Sequence, residues 1–167
     1  TAQNKIHVHM LGGALSFASH DPLKATWWHT WYMLTAIGRL GLGIFLIVAG
    51  LGHFVSTSEF IAQVPPWMPA PDLVILVSGV CELVLGSALL AAPIKWRPLV
   101  GWVTAAFFVV IFPGNIWQFI EGRDAFGLDS NVARLVRLLF QPLLVVWALW
   151  ATGALAAWRQ RGNSRSK

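Results

Sequence analysis

Charge is scarce in this chain. Only 11% of its 167 residues are Asp, Glu, Lys or Arg, while 56% are hydrophobic. Ordinary soluble domains carry about a quarter charged residues. So little charge cannot coat one small globule, which excludes a soluble domain and implies an integral membrane protein. Cysteine is nearly absent, with Cys81 alone. A disulfide within the chain, a CxxC redox pair and a cysteine-held iron–sulfur cluster are therefore excluded. No haem-spaced histidine pair, flavin motif or nucleotide loop occurs. Four of the histidines, His7, His9, His20 and His29, show no metal-ligand spacing, so no metal site is expected. The basic residues form no face suited to nucleic acid; they sit beside apolar runs.

Long apolar runs are what the chain has instead. Four segments pass the length of about 20 residues that a bilayer demands, near 34–55, 73–92, 98–120 and 132–158. None shows the alternation of a barrel strand, so helices are the spanning form. The expected fold is an all-α membrane protein, a four-helix transmembrane bundle over 34–158. An N-terminal segment, 1–33, precedes it and a basic tail, 159–167, follows. Residues 1–33 lack a signal-peptide pattern, so the first span is expected to act as an uncleaved signal.

Four spans place both termini on one side, with Lys95 and Arg97. Nine basic residues then fall on that side and three (Arg123, Arg134, Arg137) on the other. The bias predicts cytoplasmic termini. After the first span, Ser56-Thr57-Ser58-Glu59 reads as a capping box opening a short outer interfacial helix. Pro65-Pro66-Trp67-Met68-Pro69-Ala70-Pro71 then stiffens the return, with Trp67 at headgroup level. Trp27, Trp28 and Trp31, three of the chain's ten tryptophans, suit the inner interface and are a candidate docking element for a membrane partner.

Glu82 lies mid-span, where a carboxylate costs about 2.5–3.5 kcal/mol and normally has a polar partner. At 1.5 Å per helical residue, His53 and Gln118 lie about 3 Å below the outer end of their spans, Asn115 and Arg137 about 8 Å, and Glu82 and Gln141 about 13 Å. All six fall in the outer half and on faces that turn inward, because lipid cannot satisfy them. A polar cavity open outward and closed inward is expected. Two readings stand open. Glu82 could pair with Arg137, with Asn115 and Gln141 completing the bonds and fixing helix register, or the group could bind a ligand or handle protons. Pro113 and Pro142 each free a carbonyl that Asn115 and Gln141 could serve. Cys81 reads as a packing residue, and Arg39 as a side chain snorkelling to the inner interface.

Several motifs also match a known family. They are Gly50-Leu51-Gly52-His53-Phe54, Val64-Pro65-Pro66-Trp67-Met68-Pro69-Ala70-Pro71, Ser78-Gly79-Val80-Cys81-Glu82, Ile111-Phe112-Pro113-Gly114-Asn115-Ile116 and Arg134-Leu135-Val136-Arg137-Leu138-Leu139-Phe140-Gln141-Pro142. On these the chain resembles the DoxX-like family of small bacterial four-span membrane proteins. It departs at Cys81 and Gly114, where the family usually has alanine, and at Phe140, where proline is common. The resemblance implies a bacterial inner (cytoplasmic) membrane protein. Relatives include a subunit of a thiosulfate–quinone oxidoreductase and members linked to detoxification of reactive oxygen and sulfur species. The expected function is an accessory, non-catalytic subunit of a larger, redox-related membrane assembly. The alternative is a binding protein or transporter for a small amphipathic ligand such as a quinone or lipid.

Overall fold

The computed structural model of the chain describes residues 22–125, 127 and 130–165. All regular structure among them is helical: α1 (Pro22–Val55), α2 (Thr57–Ile61), α3 (Pro71–Ala91), a 3₁₀ turn (Ile94–Trp96), α4 (Arg97–Ile120), α5 (Asn131–Ala151) and α6 (Ala154–Arg165). The chain forms two compact units, residues 1–34 and 35–167. Four helical segments are long and apolar enough to cross a membrane: His29–Val55, Pro71–Ala91, Ile94–Ile120 and Asn131–Ala151. The protein is a multi-pass membrane protein. Large apolar side chains such as Ile37, Val48, Val84 and Val110 stand exposed along these helices, as lipid-facing residues do.

The helix ends follow local chemistry. Pro71 and Pro98 occupy first-turn positions, where the missing N–H is not needed. The Ser130 hydroxyl accepts from the Ala133 N–H at 3.2 Å and caps α5. At the end of α4, Gly122 takes φ +61° while the Arg123 N–H donates to Gln118 O at 3.1 Å, closing a Schellman turn.

Four expectations from sequence are revised. The first helix starts at Pro22 rather than near 34, so helix runs through positions 27, 28 and 31. The last span is not one helix to 158. Gly153, at φ +70°, breaks it after Ala151, because that backbone conformation has no place inside a right-handed helix. The capping box does not form; α2 is present, but the Ser56 side chain makes no capping bond. Arg39 is not snorkelling. It is buried, and its guanidinium donates to Leu89 O and, at 3.2 Å, to Leu90 O. It thereby serves the orphan carbonyls at the end of α3.

Two glycine contacts draw α1 onto α3. A Cβ on Gly86 would lie 2.8 Å from Gly43 O, and one on Gly50 would lie 2.9 Å from Gly79 O. The backbones meet where a side chain would hold them apart. α4 packs along α5 through Ala105, Phe108, Leu144 and Ala148, which share one buried cluster with Leu42 and Leu46 of α1 and Leu89 of α3. Trp147 donates from Nε1 to Gly38 O at 3.0 Å and ties α5 to α1.

Candidate functional site

The close α1–α3 approach sets His53 against α3. Its Nε2 lies 3.2 Å from Glu82 Oε2, both side chains being buried. Its Nδ1 lies 3.2 Å from the Ser78 hydroxyl, which also donates to Ile75 O at 3.0 Å. Phe60 of α2 stacks on the imidazole, ring centroids 3.7 Å apart and planes 25° from parallel. Ser78 and Glu82 are one helical turn apart, so a single histidine bridges two groups on one face of α3. The ring's position is thus fixed from α1, α2 and α3 together.

The 3.2 Å separation from His53 lies within ion-pair range, yet the imidazole N–H is not directed at the oxygen. Glu82 Oε2 is buried with no hydrogen-bond donor among the described residues. Of the readings left open, a direct Glu82–Arg137 contact is not formed among the described residues; the group beside the Glu82 carboxylate is the His53 imidazole. The Arg137 guanidinium donates to Gln63 Oε1, in the turn after α2, and its charge acts on Glu82 through space. The reason is reach. The α2 turn brings Gln63 over the bundle end, and Gln63 Nε2 is itself held by Glu59 O at 3.2 Å.

Across from this group, Asn115 Nδ2 donates to Gln141 Oε1 at 2.8 Å, and Gln141 Nε2 donates to Phe108 O at 2.7 Å. Both bonds cross between α4 and α5. Gln141 therefore serves the carbonyl next to the one that Pro113 leaves without its amide partner, which belongs to Val109.

These groups line one cavity of about 830 Å³. His53, Glu82, Asn115, Arg137 and Gln141 all border it, as do Ser78, Gln63 and Cys81. Its walls are otherwise apolar, with Phe45, Phe107, Phe108, Phe140 and Leu144 among them. The expected polar cavity is therefore a mainly apolar one with a few polar groups. Gln118 is not part of it. It is buried and donates to Arg123 O at 3.4 Å, completing the turn after α4. Arg134, on the same sequence register as Arg137, is turned to Asp124 at 2.7 Å and Asn131 at 3.0 Å. Trp31 is exposed; Trp27 and Trp28 lie in α1, but their side chains fall outside the described residues. No group of three His, Cys, Asp or Glu side chains among the described residues is placed to hold a metal ion.

Gln63 and Phe60 were missed in the sequence because they belong to a connection, where depth cannot be counted from a span end. Ser78 stands one turn before Glu82 in the sequence, but that spacing does not name His53 as its partner.

The chain belongs to a protein family described as a domain of unknown function, DUF8561, whose model matches residues 42–152. That stretch contains every polar residue of the cavity. No curated protein and no solved structure matches the chain.

Proposed function

We propose that the protein binds a small amphipathic molecule within the membrane, in the cavity between α1, α3, α4 and α5. The observation that carries this reading is the cavity's composition: about 830 Å³, apolar walls, and His53, Glu82, Asn115, Arg137 and Gln141 facing it from four helices. Small-molecule sites have this size and this mixture of an apolar lining with a few placed polar groups. A purely structural cluster would close on itself; this one leaves space beside it. Catalysis by the chain alone is not part of the reading, and a quinone or lipid is a ligand of suitable size.

The basic-residue asymmetry supports cytoplasmic termini, with the cavity in the outer half of a bacterial inner membrane and α2 lying at the outer interface. A role as an accessory subunit of a redox assembly rests on the resemblance to DoxX-like proteins and on the tryptophans at 27, 28 and 31 as a docking element. The cavity itself speaks for ligand binding.

The test is native mass spectrometry of the protein extracted from its membrane in mild detergent, beside an Ala49→Trp variant that fills the cavity. The wild type is expected to carry a discrete bound mass that the folded variant lacks. An identical spectrum from both proteins would overturn the reading.

A further inference from the structure

The polar groups of the cavity also define the chemistry of the ligand's head. Most of them are already engaged: Gln141 and Asn115 with each other and with Phe108 O, Ser78 with Ile75 O, Arg137 with Gln63. Glu82 is different. It is 7% exposed and borders the cavity, and no described residue donates a hydrogen bond to its carboxylate: Oε2 is enclosed against His53, and the other oxygen is the one the cavity can reach. A buried carboxylate oxygen left without a donor forfeits a charge-assisted hydrogen bond, one of the stronger bonds a protein makes. What completes this site is a donor brought by the ligand to the carboxylate oxygen that is open to the cavity.

The donor's charge is limited by the rest of the wall. An ammonium head would approach Glu82 but would share a low-dielectric cavity with the Arg137 guanidinium. An anionic head would meet Arg137 but also Glu82. A neutral donor avoids both penalties, and the commonest neutral donor on an otherwise apolar molecule is a hydroxyl. Acceptor-only heads, such as ethers, esters and quinone carbonyls, leave the Glu82 oxygens as they are.

We infer that the cavity selects a neutral, apolar molecule bearing a hydroxyl group, an alcohol or a phenol, whose O–H donates to the Glu82 carboxylate beside His53. The inference rests on the cavity being a ligand site. The body of the molecule lies along Phe107, Phe108 and Phe140.

The experiment compares 4-octylphenol with its methyl ether, which differ in the donor alone. Binding to the purified protein in lipid nanodiscs is measured against protein-free nanodiscs, so that partition into lipid is subtracted. The wild type is expected to bind the phenol at least about tenfold more tightly than the ether. In Glu82→Leu the ratio should fall towards one, while the isosteric Glu82→Gln, which keeps an acceptor, should retain part of it. Equal binding of the two probes by wild-type protein would overturn the hydroxyl inference and leave the ligand site standing. Binding of neither probe above protein-free nanodiscs would overturn both.

Discussion

At the scale of single residues, the same cavity holds two kinds of polar group. Gln141 is architectural: its amide both accepts from Asn115 and donates to Phe108 O, so both halves of the side chain are spent between α4 and α5. Gln141→Leu leaves two partners unsatisfied and should cost about 1–2 kcal/mol in a detergent unfolding titration, at the usual worth of hydrogen bonds within membrane bundles. Glu82 has little hydrogen bonding to lose, since its Oε2 faces His53 at 3.2 Å without a directed N–H. Glu82→Gln should therefore change stability by less than about 1 kcal/mol. If the Glu82 substitution proves the more destabilising of the two, the carboxylate is holding the bundle together and its availability to a ligand is wrong.

At the scale of helices, the glycines decide how near α1 comes to α3, and so whether His53 reaches Glu82. Gly86→Leu must push against Gly43 O, which already lies 2.8 Å from where a Cβ would sit. A cost of about 1–3 kcal/mol is expected, as for other overpacked contacts. Gly41→Ala serves as the comparison, because its Cβ would make an ordinary 3.6 Å contact with Trp147. Similar stability for both variants, again by detergent unfolding, would show that the α1–α3 contact is loose.

The four long helices were legible in the sequence because about 20 apolar residues per span is a strong signal, and the inward polar faces because lipid forbids the alternative. Five of the six polar residues placed by depth in the outer half, all but Gln118, border the cavity for that reason. Other features depended on geometry that spacing does not carry. Gln118 shares a register with Asn115, but the turn at Gly122 takes its amide to Arg123 O. Arg137 was within reach of Glu82 by depth, yet Gln63 comes down from a connection to meet it. Gly153 falls inside the apolar run 132–158, and it is its positive φ, which spacing does not show, that ends the helix.

At the scale of the whole molecule, orientation determines which compartment the ligand enters from. With nine basic residues on the side of the termini and three on the other, a maleimide applied from outside should label a cysteine placed at Asp124. The same reagent should leave one placed at Lys95 untouched, both in a Cys81→Ala background that removes the chain's own thiol. The reverse pattern would put the cavity in the cytoplasmic half.

Ligand binding in the cavity is tested most directly by an experimental structure of the protein crystallised from lipid, without added ligand removal. The expected result is continuous non-protein density within the 830 Å³ space, with a polar atom at hydrogen-bond distance from the Glu82 carboxylate. A cavity closed by the Phe108 and Phe140 side chains, with Glu82 satisfied by Arg137 alone, would contradict it.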